Sequence, residues 1–340
     1  GQGFQRQKEM KAALAVLFAA LVLCSPAEAQ DKSARREKSA ELLEEFGAGY
    51  KIFTTRHWIL VYKADLKWVK ACGEMLERTH DTFVATFEKA GFKLNKLEED
   101  LVGVLIGDEK DFREYMERKR SQSGRSGPPR GGGGVYSGRT NRITFFDDRT
   151  RQRSRSGPSS RSSDLVNMSK AAHEGAHQLA FNLGLHKRGG RYPPWVVEGL
   201  AANFEMQDAG KPFGPYSKNL SPRRRGLLKL LERGKTLPLK DFVAMRKPRD
   251  PQPGELGLIY SQGWGLFRFL LLNYPDKLQG YLESFTAEGA ERPSPGVFRR
   301  RFEKAFGPFS KVETRWGGFL GELEKTEGGQ KSPRRKRRRL

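Results

Sequence analysis

The sequence predicts an α+β fold in which a mixed sheet and helix layer is followed by a helical half. Strand-like apolar runs alternate with segments of helical periodicity up to about residue 118, and helical periodicity dominates after residue 205. Between these regions lies a helical segment that carries two histidines four residues apart. We therefore expect a metal cleft between the two halves.

The N-terminal residues resemble a secretory signal. A basic start precedes the apolar run Ala12–Cys24, which is too short for an ordinary transmembrane helix, and Ala27–Ala29 fits a small-residue cleavage site. We expect residues 1–29 to comprise upstream residues and a signal peptide, and the protein to be secreted or to lie in the periplasm or cell envelope. Cleavage leaves Cys72 without a partner, so no internal disulfide is expected.

A charged lead at residues 30–49 precedes a domain that we assign to residues 50–325. The lead is helix-prone from Ser33 to Glu45. The first elements of the domain are a strand over Lys51–Ala64, a helix over Leu66–Ala90, a strand over Leu101–Ile106 and a helix over Glu109–Arg118.

Residues 119–163 are rich in glycine, serine and arginine and predict a flexible insertion. Within it, Gly134–Tyr136 and Arg142–Phe146 predict a short hairpin. The glycine run Gly131–Gly134 is not a phosphate-binding loop, because the lysine and hydroxyl residue that complete such a loop do not follow it.

Helices dominate the second half of the chain. The most apolar covers Leu256–Asn273, where Arg268 and three glycines indicate a buried core helix, so no transmembrane span is expected. The other predicted helices cover Pro222–Arg233, a short segment that starts at Asp241, Asp276–Phe285, Pro295–Phe306 and Val312–Lys325, and a basic tail occupies residues 326–340.

The metal prediction rests on the sequence His173-Glu174-Gly175-Ala176-His177. Histidines four residues apart lie on one helical face, where both imidazoles can hold one zinc ion. Glu174 points to the side, from which it can reach a water at the open position of the metal. The alternative is an ordinary amphipathic helix with two half-buried, hydrogen-bonded histidines.

A third ligand is expected from the helix that opens at Pro193-Pro194-Trp195. The metal helix begins near Asp164 and ends at Gly184, and a loop of about ten residues lets the next helix return antiparallel. That return brings Glu198 beside the histidines. A surface glutamate near a helix start is the alternative for Glu198, and His186 is the rival ligand.

The two motifs together resemble the gluzincin metallopeptidases, which follow His-Glu-x-x-His with Trp-x-x-Glu-Gly-x-Ala. The form over Pro194–Glu205 is most similar to secreted gluzincin-like domains of unknown function, and the resemblance covers roughly residues 160–275. It implies a zincin-like metallopeptidase fold, a Zn²⁺ ion held by His173, His177 and Glu198, and a peptide or protein substrate.

The same resemblance implies roles for further residues. Glu174 would be the general base and then the proton donor to the leaving amine. Thermolysin-like members orient a ligand histidine with an aspartate where this chain has Ala202, so Glu205, a turn further along, is expected to take that role. Tyr260 is expected to stabilise the oxyanion, the alternative being a core tyrosine. The strand at Gly134 would line the cleft and pair with an extended substrate, or be an ordinary edge strand.

The net charge of +23 and a pI near 10.1 favour a second interpretation, a polyanion-binding or structural protein on an inactive gluzincin scaffold. Its partner would be an anionic polymer or an envelope surface, bound through the basic segments. Intact Glu174 favours the peptidase, and no basic motif interleaved with aromatics indicates sequence-specific nucleic-acid recognition. His57 and His80 are expected to pack or lie at the surface. The oligomeric state is left open.

Overall fold

The computed structural model describes residues 26–122, 133–150, 160–218, 221–246, 253–285 and 293–328. The chain divides into two compact units, Gly1–Tyr50 and Lys51–Leu340. The described part contains a mixed five-stranded sheet and eleven α-helices, which confirms the α+β class. Residues 1–25 of the expected signal segment, much of the predicted insertion and the Arg-rich end of the tail lie outside the described residues.

The N-terminal unit contains helix α1, Pro26–Phe46, which covers most of the charged lead. The helix ends where Gly47 adopts a φ of +76° and its N–H donates to the carbonyl of Leu43 at 2.9 Å. The rings of Phe46 and Tyr50 then pack with their centroids 5.0 Å apart.

The sheet of the larger unit has mixed strand directions. Its strands are β1 (Lys51–Thr54), β2 (Trp58–Lys63), β3 (Leu101–Ile106), β4 (Gly134–Ser137) and β5 (Arg142–Phe146). Their order is β1-β2-β3-β5-β4, with β2, β3 and β5 parallel and the two outer strands antiparallel to their neighbours. β3 is buried along its whole length, as its continuous apolar run predicts, and β4 forms one edge.

The prediction of a single strand over Lys51–Ala64 was wrong, because a turn at residues 55–57 divides it into β1 and β2. Thr55 closes this turn: its N–H donates to the carbonyl of Trp58 at 2.9 Å, and its Oγ1 accepts from Trp58 N at 3.2 Å. The carboxylate of Glu77 accepts from the Thr55 hydroxyl and from the N–H of His57, at 2.6 and 2.7 Å. The residue that holds the turn is distant in sequence, so no local glycine or proline marks it.

The remaining helices follow the predicted order with shifted ends. They are α2 (Leu66–Lys89), α3 (Glu109–Gln122), α4 (Ser160–Asn182), α5 (Pro194–Ala202), α6 (Arg223–Glu232), α7 (Leu239–Phe242), α8 (Pro253–Asn273), α9 (Pro275–Glu283), α10 (Pro295–Phe306) and α11 (Phe309–Gly328). α3 continues past the predicted end at Arg118, and α7 begins before Asp241. Within the described ranges, no helix combines the length and apolarity that crossing a bilayer requires.

Gln178 anchors α4 to the sheet. The indole N–H of Trp58 donates to Gln178 Oε1 at 2.9 Å, and Gln178 Nε2 donates to the carbonyls of Val102 and Asn141 at 3.1 and 2.7 Å. On the side facing α2, a Cβ on Gly175 would lie only 2.8 Å from a methyl of the leucine at position 76. These contacts fix the rotation of α4, and with it the direction of the side chains at positions 173, 174 and 177.

Candidate metal centre

Three potential ligand atoms converge between α4 and α5. His173 Nε2 and His177 Nε2 are 3.1 Å apart, and Glu198 Oε2 lies 3.4 Å from the first and 3.5 Å from the second. None of the three side chains has more than 17% of its surface exposed. The structure thus brings together the three residues that the sequence predicted as ligands.

The dimensions of this triangle fit a tetrahedral metal ion. Ligand atoms at about 2.0–2.2 Å from a tetrahedral zinc are separated from one another by about 3.3–3.6 Å. The observed edges of 3.1, 3.4 and 3.5 Å are close to that range. Two imidazoles and one carboxylate also suit first-row transition metals, and they leave one tetrahedral position open. These residues could therefore hold a metal ion.

Helix α5 can bring Glu198 to the histidines because the residue that follows Glu198 is a glycine. Pro194 starts the helix, where its missing N–H is tolerated. A Cβ on Gly199 would lie 2.4 Å from the carbonyl oxygen of Gly263 in α8, so the two helix backbones are in direct contact there. Asn203 holds the end of α5 in place by donating to the carbonyls of Gly199 and of residue 264, at 2.8 and 3.0 Å.

The candidate ligands lie in an environment that favours positive charge. Burial lowers the pKa of His173, but hydrogen bonds to Glu198 and Glu205 raise it to about 10. Burial raises the pKa of Glu198, but hydrogen bonds from His173 and His177 hold it well below its ordinary value. A buried carboxylate stays ionised only where a cation or strong donors face it, so this group is suited to holding a positive ion.

Glu205 occupies the position expected of the residue that orients a ligand histidine. Its Oε1 lies 3.0 Å from His173 Nδ1, on the opposite side of the ring from the ligand atom Nε2. Arg223 in turn donates to both oxygens of Glu205, at 2.8 Å each. Sequence reasoning missed Arg223, because it begins a run of three arginines that is typical of a solvated basic helix.

Glu174 lies beside the ligands and is buried. Burial raises its pKa; the charges of His173 and His177 act in the opposite direction. A Cβ on Gly134 would lie 3.0 Å from Glu174 Oε1, so the start of β4 packs directly on the carboxylate. A larger residue at position 134 would crowd this carboxylate, and sequence reasoning predicted neither this contact nor the burial of Lys170.

Lys170 precedes Glu174 by one helical turn and points into the same region. Its Nζ donates to the carbonyl of Phe146 at 2.7 Å and pairs with the carboxylate of Asp148. Burial lowers the pKa of Lys170 and Asp148 opposes that shift. A lysine at this spacing looks like a surface residue in the sequence, so its burial could be found only from the fold.

An open cavity of about 360 Å³ lies against the metal centre, and Tyr260 forms part of its wall. The ring of Tyr260 lies 5.8 Å from that of His173, and the guanidinium of Arg223 lies 4.6 Å above it. Burial and the charges of Glu198 and Glu174 raise the pKa of the Tyr260 hydroxyl, which therefore keeps its proton. The cavity is lined by Gly133, Gly134, Asp148, Val166, Ser169, Lys170, His173, Glu174, Glu205, Pro222, Arg223 and Tyr260.

His186, the rival third ligand, lies apart from the convergent group. Its ring packs against Phe181 and Tyr192, with centroids 5.2 and 4.4 Å away, and only 1% of the residue is exposed. Burial lowers its pKa to about 3, so the imidazole is neutral. Among the described residues, the group whose ligand atoms converge is that of His173, His177 and Glu198.

The geometry defines this chain as an α+β protein with a candidate metal centre of two histidines and a glutamate. Residues 167–221 are similar to a protein family described as "Protein of unknown function (DUF1570)". The matched segment contains all three candidate ligands, together with Glu174 and Glu205, and covers a minor part of the chain. No curated protein sequence matches the chain.

Proposed function

We propose that this protein is a zinc-dependent peptidase with a zincin-like fold of the gluzincin type. The observation that carries the proposal is the convergence of His173 Nε2, His177 Nε2 and Glu198 Oε2 beside a buried glutamate and an open cavity. When bound, the zinc ion supplies Lewis acidity towards the peptide carbonyl and lowers the pKa of its water towards neutrality. The signal-like N terminus supports action outside the cytoplasm.

Glu174 is the proton carrier in this proposal. It follows His173 directly, so its carboxylate lies beside the ligand group without being one of the three ligands. A raised pKa brings a carboxylate closer to neutral pH, where a general base is most effective. Glu174 takes a proton from the attacking water and later gives it to the nitrogen of the leaving amine.

Tyr260 is the oxyanion donor in this proposal. Its hydroxyl remains protonated and its ring lies against His173 at the wall of the cavity. A preorganised donor aimed at developing negative charge lowers the barrier because it needs no reorganisation during the reaction. Glu205 acts indirectly: its carboxylate lies 3.0 Å from His173 Nδ1 and favours a proton on that nitrogen, which leaves Nε2 free to bind the ion.

The substrate in this proposal is a peptide segment in extended conformation. β4 is an edge strand and starts at Gly134, which packs on Glu174. An extended chain that adds to this edge places its backbone alongside the metal helix, and main-chain hydrogen bonds hold it without regard to sequence.

The test compares the wild type with Glu174→Gln on a general peptide library. Protein purified without chelator should contain about one zinc per chain in both forms. The variant should hydrolyse peptides more slowly by about 10²–10⁴-fold, since glutamine cannot accept the proton. Glu74→Gln, an exposed glutamate on α2, is the matched control and should retain the wild-type rate. Equal cleavage by the wild type and Glu174→Gln would refute the mechanism.

A further inference from the structure

A second cavity lies one helical turn beyond the candidate ligands. Phe181 follows His177 by four residues on α4, and Pro194 precedes Glu198 by four residues on α5, so each extends the ligand-bearing face of its helix. Both residues line a cavity of about 240 Å³. The cavity described above lies at the other end, where Lys170 and Glu174 occupy the preceding turn of α4. The two cavities therefore flank the metal centre along the helix.

The second cavity has a mainly apolar wall with two arginines, and Gly190 and Pro293 line it as well. Tyr192, Val197 and Phe298 complete the apolar wall, and Arg191 and Arg246 also line it. Its volume is below the range of about 300–1,000 Å³ that is typical of sites for whole small molecules. A cavity of this size and composition suits one apolar side chain.

Packing behind the walls holds the cavity open. The hydroxyl of Tyr192 accepts from the N–H of Lys187 at 2.9 Å, and its ring packs on Phe285 at 4.9 Å. The ring of Phe181 stacks on that of Tyr136 at 5.4 Å. A preformed cavity loses little conformational freedom when it is filled, which favours binding.

Strand β4 connects the two cavities. Gly134 at its start packs on Glu174, and Tyr136 two residues later packs on Phe181. Four residues of helix correspond to about 6 Å along the axis, the length of about two residues of extended chain. An extended peptide along β4 therefore places a side chain near the second cavity within about two residues of the bond at the metal.

We propose that this second cavity binds an aromatic or large aliphatic side chain of the peptide substrate, one or two residues from the scissile bond. This inference rests on the proposed peptidase function. It makes Val197, Tyr192 and Phe298 the residues that select this substrate side chain. None of them is among the predicted catalytic residues.

The experiment measures peptide binding to zinc-loaded Glu174→Gln protein, so that the readout does not depend on turnover. Blocked octapeptides that differ at one position are compared by fluorescence polarisation. At one fixed position, phenylalanine or leucine should bind about tenfold more tightly than alanine. Adding Val197→Trp, which fills the cavity, should abolish this preference. Adding Val197→Ala, which enlarges it, should shift the preference towards larger side chains.

Val84→Trp in the same background is the control, since this half-buried valine lines neither cavity; it should keep the preference. Peptides that are bound with the same preference after both Val197 substitutions, while the wild type cleaves them, would overturn the assignment of the cavity and leave the peptidase intact. Failure of every variant and of the wild type to bind or cleave any peptide would overturn both proposals.

Discussion

Two histidine pairs in the larger unit both bring their rings into contact but direct their nitrogens differently. The rings of His57 and His80 lie 3.9 Å apart and nearly parallel, whereas those of His173 and His177 lie 4.7 Å apart and nearly perpendicular. In the perpendicular pair the two Nε2 atoms face each other at 3.1 Å, next to a shared carboxylate. In the stacked pair the nitrogens face separate partners.

The carboxylates around the stacked pair explain why its nitrogens do not point at a common site. His57 Nδ1 lies 2.7 Å from Glu77, and His80 Nδ1 lies 3.1 Å from Asp81. Arg56 contacts both of these acids. Although this cluster has the same kinds of side chain as the candidate metal centre, its nitrogen and oxygen atoms do not converge on one position. Whether such a cluster can hold a metal ion thus depends mainly on whether the lone pairs of its nitrogens and oxygens point at one position. The number of histidines and acids matters less.

The largest expected effect is a loss of bound zinc when a histidine of the perpendicular pair is replaced, but not when one of the stacked pair is replaced. His173→Ala and His177→Ala should each reduce bound zinc from about one per chain to a small fraction, because two remaining ligands rarely hold a structural or catalytic ion. His57→Ala and His80→Ala should leave the zinc content unchanged. Elemental analysis after dialysis gives the result. Loss of zinc in His57→Ala, or its retention in His173→Ala, would contradict the comparison.

The next effect concerns the Tyr260 hydroxyl, in the wall of the cavity that lies against the candidate metal centre. Tyr260→Phe keeps the ring and removes the donor, so kcat should fall about a hundredfold while zinc content and thermal stability stay at wild-type values. Tyr216→Phe, a change at an exposed tyrosine, should have no effect on kcat. A wild-type kcat in Tyr260→Phe would return Tyr260 to the role of a packing residue.

A smaller effect compares two glutamates that face imidazole Nδ1 atoms, one in each pair. Glu205→Gln removes the charged acceptor at His173 and should weaken zinc binding by about 10–100-fold, as measured by competition with a chromogenic chelator. Glu77→Gln makes the equivalent change at His57 and should not alter the zinc affinity. Equal zinc affinities in wild type and Glu205→Gln would show that the contact at Nδ1 does not support the ligand.

The smallest effect is the pH dependence of the stacked cluster. Partial burial raises the pKa of Glu77, but hydrogen bonds from His57 and Thr55 lower it from 4.5 to about 2. A carboxyl whose pKa falls on folding stabilises the native state above its unfolded pKa, and that contribution is lost as the pH falls towards 2. With solvent screening, Glu77→Gln should reduce the free energy of unfolding by about 1 kcal/mol at pH 6.

That difference should shrink between pH 4.5 and 2, and urea unfolding at three pH values measures it. Glu74→Gln, at an exposed position on the same helix, should show no such trend. A Glu77 deficit that stayed constant down to pH 2 would mean that the carboxylate is not held by these hydrogen bonds.

The candidate ligands could be predicted because local rules place them. Helical periodicity puts His173 and His177 on one face, and a glycine end followed by a proline start returns Glu198 to them. By contrast, Arg223 reaches Glu205 from a separate helix, and the room that Gly134 leaves for Glu174 depends on sheet pairing. Such contacts depend on which elements meet in space, and no short-range pattern in one sequence encodes that.

The contact between Gly199 and Gly263 fixes how closely α5, which carries Glu198, approaches α8. A Cβ at position 199 would lie 2.4 Å from the carbonyl oxygen of Gly263, so any larger residue there would push the two helices apart. Calcium prefers six to eight oxygens at about 2.3–2.6 Å, whereas the three candidate ligands offer two nitrogens and one carboxylate. Two residues without side chains thus set the position of the helix that carries the third candidate ligand.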